Sequence, residues 1–223
     1  MYYTLIGDLK KSKTIQNRIE VQHRLRDILN RINEEYQDTL VKKMYITLGD
    51  EFQGVFRTFD DIFEIMHKIM FNLEPVEIRF GLGIGDILFD ESKDASPYDS
   101  DGEAWWFARD AIKAIKELEE KQKVTDFSNI MMKTNNAAFD LMINKVFDLL
   151  YIIKSGWTGT QLKMIEMIIH HYGLTRHFKQ VDLAKLLDEA PPTVNEKLKR
   201  TKFYEYVEMI EALSLFIKNR EGS

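Results

Sequence analysis

Cysteine is absent from the 223-residue chain. That excludes disulfides and thiolate-bound metals and fits a reducing compartment. No apolar run approaches the roughly 18 residues that a membrane span needs, so no membrane partner is expected. The opening MYYTLIGDLK turns charged after a brief apolar stretch; a signal peptide is not expected and the cytoplasm is the expected location. Charge of one sign is lacking too. The 31 Lys and Arg against 36 Asp and Glu leave −5, which gives no whole-chain attraction to nucleic acid or an anionic membrane. Any such contact must be local. What is present is 44% hydrophobic residues, enough for one large or two modest domains.

Tyr2 to Ile6 read as a first strand ending at Gly7-Asp8, and Lys10, Lys11, Ser12 and Lys13 follow directly. Cations and a hydroxyl beside a carboxylate suit a polyphosphate-facing loop, although a solvated basic turn has the same composition. From Thr14 onward Ile15, Ile19, Leu25, Ile28, Leu29, Ile32 and Tyr36 recur at mostly three- and four-residue spacing, predicting an amphipathic helix. Of its arginines only Arg18 lies close enough to the Asp8 loop to concern it. Ile46 to Phe56 predicts a hairpin with Gly49-Asp50-Glu51 at its tip. Two carboxylates on a bend suit a hard cation such as Mg²⁺, while Gly-Asp is also a common solvated turn.

A second helix follows, with Ile62, Phe63, Met66, Ile69, Met70 and Leu73 as its buried face and Pro75 as its stop. Val76 to Phe89 reads as one long strand. Ile78, Phe80, Leu82 and Ile84 share one face; Glu77, Arg79, Gly81, Gly83 and Gly85 share the other. Three glycines on one face call for a closely packed helix or a ligand. Asp90 to Asp101 reads as a loop, and Glu103 to Lys123 as a helix whose first turns carry Arg109, a candidate phosphate ligand. Phe127 to Lys133 is expected as the last strand and Ala137 to Lys154 as a helix. This order predicts an α+β domain over residues 1–154, with a mainly antiparallel sheet of ferredoxin-like or palm type. In such a sheet Asp8 and Asp50 converge.

Ser155-Gly156 punctuates the chain, and residues 155–223 predict a small all-α helix-turn-helix domain. Lys179 to Leu187 would be its first helix, Asp188 to Pro192 the turn, and the helix from Thr193 the recognition helix. Thr193, Asn195, Lys197, Lys199, Arg200 and Lys202 are the candidate DNA contacts. Ten Lys plus Arg against nine Asp plus Glu in this segment leave protein binding, or pairing of two copies of the chain, as the competing use.

The ordered set Ile6-Gly7-Asp8-Leu9-Lys10-Lys11-Ser12-Lys13, Thr47-Leu48-Gly49-Asp50-Glu51-Phe52-Gln53-Gly54 and Ile78-Arg79-Phe80-Gly81-Leu82-Gly83-Ile84-Gly85, then Asp101-Gly102-Glu103-Ala104 and Ala108-Arg109, resembles the SatD family of bacterial proteins. The first part is also similar to the palm domain of class III nucleotidyl cyclases and GGDEF diguanylate cyclases. That resemblance implies Mg²⁺ or Mn²⁺ on Asp8 and Asp50, assisted by the Leu9 carbonyl and Glu51. Lys10, Ser12, Lys13, Arg18, Gly49, Arg79 and Arg109 would surround the phosphates of a nucleoside triphosphate or cyclic nucleotide. Leu48 stands where GGDEF enzymes carry glycine, and Trp105 where class III cyclases carry asparagine, so nucleotide binding is expected to survive better than turnover. The leading expectation is a nucleotide-responsive regulator with a DNA reader. A cyclase or nucleotidyl transferase working as a homodimer and a non-enzymatic interaction module are the alternatives.

Overall fold

The computed structural model describes residues 1–47, 49–89, 100–121 and 127–219. Leu48, most of the loop expected after Phe89, and the last two residues of the helix expected to reach Lys123 lie outside the described residues. The fold is mixed α+β. Strands β1 (Tyr2–Leu9), β2 (Leu40–Ile46), β3 (Glu51–Phe56), β4 (Ile78–Gly85) and β7 (Ile130–Lys133) form one sheet in the order β2-β3-β1-β4-β7. β1 lies antiparallel between β3 and β4, and β7 runs parallel to β4. The long strand expected from Val76 to Phe89 is divided. Past Gly85 the chain leaves the sheet, and β5 (Leu88–Phe89) pairs instead with β6 (Ser100–Asp101).

One face of the sheet is covered by α1 (Arg18–Glu35) and α2 (Ile62–Leu73). The α1 stripe runs through Val21, Leu25, Ile28, Leu29 and Ile32, whereas Ile19 is 72% exposed. The helix starts later than the periodicity suggests, because Ser12–Thr14 form a 3-10 turn and Asn17 sits in the left-handed region at φ 58. α2 is buried nearly all round: Ile65, His67 and Phe71 are buried besides Ile62, Phe63, Met66, Ile69 and Leu73 of the expected face, whereas Met70 is half-buried. A helix apolar on every side belongs inside a protein, and each fully buried Ile or Phe contributes about 1.5–3 kcal/mol.

What covers the outer side of α2 is the C-terminal helical layer: α4 (Ala137–Ser155), α5 (Gly159–Tyr172), α6 (Gln180–Leu187), α7 (Pro191–Thr201) and α8 (Phe203–Asn219). A single apolar cluster extends from Leu5 and Phe80 of the sheet through Phe63 and Met66 to Ile165, Leu198 and Val207. Polar ties cross the same boundary. Glu64 accepts hydrogen bonds from the Tyr36 hydroxyl (2.8 Å) and the Leu174 amide (3.1 Å). His67 Nδ1 donates to the Phe63 carbonyl at 2.7 Å, so its Nε2 accepts from the Tyr206 hydroxyl at 2.7 Å. Burial pushes the His67 pKa down to about 4.

The other face of the sheet is closed by α3 (Glu103–Lys121). Here the glycine face of β4 finds its partner. A Cβ on Gly83 would stand 2.0 Å from the Ala104 carbonyl oxygen, and one on Gly81 would stand 2.3 Å from that of Ala108. Of the two occupants that the pattern allowed, it is a packed helix that approaches, with alanines meeting glycines backbone to backbone. Trp105 is buried in the same layer beside Ile6, Val55 and Ala108.

Candidate functional site

Three chain segments meet at one end of the sheet. Asp8 of β1 stands across from Glu51 on one side and Arg79 on the other. The next two residues continue the ladder: the Leu9 amide donates to the Asp50 carbonyl (3.0 Å) and the Lys10 amide to the Glu77 carbonyl (2.8 Å). The exit of β1, the hairpin tip and the entrance of β4 are therefore neighbours. The two aspartates have different partners at this end. Asp50 lies across from Leu9, which packs with the α1 layer, while Asp8 and Arg79 face α3.

On the α3 side the charges form a closed network. Asp8, 6% exposed, accepts from Arg79 Nη1 at 2.5 Å and from Lys116 Nζ at 2.9 Å, one cation on each oxygen. Arg79 also donates from Nε and Nη2 to Glu119 Oε2, at 2.9 and 2.6 Å. Lys10 Nζ lies 3.0 Å from Glu119 Oε1 and 3.3 Å from Glu77 Oε2, and donates to Asn129 Oδ1 at 2.6 Å. Burial works against both charges of the Arg79–Glu119 pair, yet their hydrogen bonds prevail: the Arg79 pKa is raised and that of Glu119 is lowered.

On the α1 side the hairpin tip is tied to the loop after β1. Ser12 Oγ donates to Asp50 Oδ2 at 2.5 Å, and Gln22 Nε2 donates to the Gly49 carbonyl at 2.6 Å. Gly49 sits at φ 76, where a side chain would be strained, and its missing Cβ would lie 3.4 Å from the Arg18 guanidinium. Glu51 turns to Thr47, whose hydroxyl donates to its Oε1 at 3.2 Å. Two cavities adjoin this end of the sheet. One of about 530 Å³ is lined by Lys10, Lys11, Asn17 and Arg24 with Glu20 and Glu77; the other, of about 390 Å³, by Lys10, Lys11 and Arg79 with Glu77 and Glu119, beside Asn129 and Tyr151.

Of the residues singled out in the sequence, Asp8, Leu9, Lys10, Ser12, Arg18, Gly49, Asp50, Glu51 and Arg79 thus gather at one end of the sheet. Lys13 is exposed on the 3-10 turn. Arg109 is exposed on α3, seven residues or about 10 Å before Lys116. Lys116, Glu119, Asn129 and Tyr151 escaped the sequence reading. Their one local signal is that Lys116 and Glu119 sit one turn apart and flank the buried Ile112–Ile115 stripe of α3.

The implied divalent ion can be tested against these donors. Both oxygens of Asp8 are already matched by cations, and Asp50 accepts from Ser12. Among the described residues no group of three or more His, Asp or Glu could hold a metal ion. In this arrangement the donor set does not fit Mg²⁺ or Mn²⁺.

The candidate DNA-contacting residues lie on and just beyond α7. The helix begins at Pro191, earlier than the expected Thr193, because proline fits the first turn, where its missing N–H is not needed. Asp188 at φ 52 ends α6, and two residues separate it from Pro191. Val194 and Leu198 are buried, while Thr193, Lys199, Arg200 and Lys202 are exposed. Asn195 and Lys197 are half-buried. Three of the cations have acidic neighbours: Lys197 with Glu189, Arg200 with Glu196 at 3.1 Å, and Lys202 with Glu205 at 3.7 Å.

Among the described residues no helix is long and apolar enough to cross a membrane. The model of the SatD family matches residues 2–213. No curated protein matches the chain.

Proposed function

The chain belongs to the SatD family, and from that premise we propose that it is a nucleotide-binding regulator in which phosphate is met by cations at the exit of β1 and DNA by α7. The observation that carries the reading is the gathering of Lys10, Lys11 and Arg79 on the wall of one groove, beside Asn129 and Tyr151; Glu77 and Glu119 line it too, as counter-charges to Lys10 and Arg79, which leaves Lys11 as its exposed cation. Phosphate accepts hydrogen bonds from guanidinium and ammonium groups. Asn129 and Tyr151 offer polar and aromatic contacts for a ribose or a base. The sheet order β2-β3-β1-β4, with α1 and α2 on one face, is the arrangement a ferredoxin-like or palm domain would have, and it supports the cyclase-like reading.

No metal enters this scheme. Asp8 acts as counter-ion, holding Arg79 and Lys116 in place, so the site favours binding over phosphoryl chemistry. The same role separates this reading from a metal-bridged one. Calorimetry with ATP and GTP, with and without Mg²⁺, should show binding that weakens about fivefold or more in Lys11→Ala, the loss of one charge-assisted hydrogen bond. Asp8→Asn should leave affinity unchanged or improve it, because it releases two cations. Absence of heat with either nucleotide, or binding that needs Mg²⁺ and vanishes in Asp8→Asn, would refute it.

For the C-terminal layer, the short α6, the tight turn and α7 suit a helix-turn-helix, and the exposed Thr193, Lys199 and Arg200 would face DNA. The surface ion pair of Arg200 with Glu196 is weak, so exchange of the glutamate for DNA phosphate is inexpensive. Labelled duplex DNA titrated with and without nucleotide tests this half. Anisotropy that rises with neither would remove DNA from the proposal.

A further inference from the structure

Two helices of the C-terminal layer turn apolar side chains to solvent. Leu141, Met142, Leu149 and Ile152 of α4 and Leu215 and Phe216 of α8 are each 46–63% exposed. On α4 they form a stripe opposite the buried Ile143, Phe147 and Leu150. We propose that this face pairs two copies of the chain about a two-fold axis, with α4 of each copy lying over α8 of the other. Such pairing depends on neither the nucleotide nor the DNA reading.

The two helices present one surface. Phe139, near the start of α4, stacks on Phe216, near the end of α8, with ring centroids 5.6 Å apart. At the other end Trp157, just past α4, meets the ring of Tyr206, near the start of α8, at 5.0 Å. α4 and α8 therefore run side by side in opposite directions. These ring contacts fix the face before a partner arrives, which lowers the ordering cost of association.

Area and charge point to a second copy as the occupant. Six large side chains at half exposure offer about 600 Å² of apolar surface, at the top of the about 300–600 Å² that the largest patch of a monomer usually reaches. A standard interface takes about 800 Å² from each partner and homodimer interfaces are about 65% apolar, so such a dimer needs about 500 Å². Lys145 projects from the α4 stripe and Glu208 borders the apolar face of α8; their ion pairs with Asp148 and Arg176 leave both largely exposed. Counted from the Phe139–Phe216 stack, Lys145 lies about 9 Å along α4 and Glu208 about 12 Å back along α8, hence at nearly the same level. A two-fold axis parallel to the helices brings each lysine against the glutamate of the other copy, so the face complements itself.

Sedimentation equilibrium of the full chain at several loading concentrations reads the mass. The expected result is a concentration-dependent rise from 26.3 kDa to twice that mass. Ile152→Glu and Leu215→Glu, each placing a carboxylate in the apolar face of both copies, should weaken pairing about a hundredfold or more. Both positions are exposed, and far-UV circular dichroism and melting confirm that the variants remain folded. Ile19→Glu, at an exposed apolar position on α1, should leave pairing unchanged. Lys145→Glu should weaken it about tenfold, and Glu208→Lys added to that variant should restore it. A wild type that stays at 26.3 kDa at every concentration overturns the pairing and leaves the face to a foreign protein. Mass that grows past two chains, a dimer indifferent to Ile152→Glu and Leu215→Glu, or one that Ile19→Glu disrupts as well, also overturns it. Failure of Glu208→Lys to restore Lys145→Glu overturns the placing of α4 over α8.

Discussion

Acid should loosen the protein through His67 before its carboxylates titrate. The imidazole is fully enclosed, donating from Nδ1 to Phe63 and accepting at Nε2 from Tyr206, so it has no room for a second proton. Burial takes its pKa from 6.5 to about 4. The unfolded chain therefore binds the extra proton between those values and the folded chain does not. Stability rises with pH across that window; it is complete above about pH 6.5 and is lost as pH falls toward 4. For these two pKa values, moving from pH 7 to pH 5 costs about 2 kcal/mol. Urea denaturation at the two pH values measures it, with His67→Gln as the reference, since Gln can still meet the Tyr206 hydroxyl and does not titrate. The expected outcome is a wild type that loses about 2 kcal/mol more than the variant over this interval. Parallel losses would refute the assignment of a buried neutral His67. Glu64 and Glu119, whose pKa values are lowered, add their own loss as pH falls from the ordinary carboxylate value downward, and the His67→Gln reference carries the same loss.

Gly83→Ala should cost about 2–3 kcal/mol or block folding, because the new methyl would meet a backbone carbonyl that cannot step aside; thermal melting reads the change. Thr158→Ala removes the capping box that Thr158 forms with Gln161 at the start of α5 and should lower stability by about 1 kcal/mol in the same assay. On the DNA reading, Lys199→Ala/Arg200→Ala should weaken duplex binding and reduce the slope of log affinity against log salt by about 2, one per phosphate contact. An unchanged slope would show that α7 does not meet phosphate.

Much of this architecture could be read from local pattern. The parity of β4 separated Ile78, Phe80, Leu82 and Ile84 from the glycines, and the glycines announced a close approach before α3 was known to make it. Pattern gave less where burial comes from two directions. Only one stripe of α2 was marked, although Ile65 and Phe71 also sit in its run of IFEIMHKIMFNL, and a second covering layer was the physical meaning of that excess. α4 shows the reverse: Ile143, Phe147 and Leu150 are buried, while Leu141, Met142 and Leu149 remain exposed, and apolar identity alone does not choose between the two stripes. The charge network was the least legible. Asp8 finds Arg79 and Lys116 at 71 and 108 residues' separation, and no local spacing records such partners.

The apolar cluster shared by the sheet and the C-terminal helices bears on the modularity of the chain. A small helical layer at a chain's end can be pictured as a cassette that recombination moves between unrelated partners. Here the outer side of α2, with His67 on it, is finished by α5 and α8, so a cut near Ser155 would strand an apolar helix in water and leave a buried imidazole without its phenol. The sheet and the C-terminal helices therefore complete one another's core, and neither is a free-standing cassette in this packing.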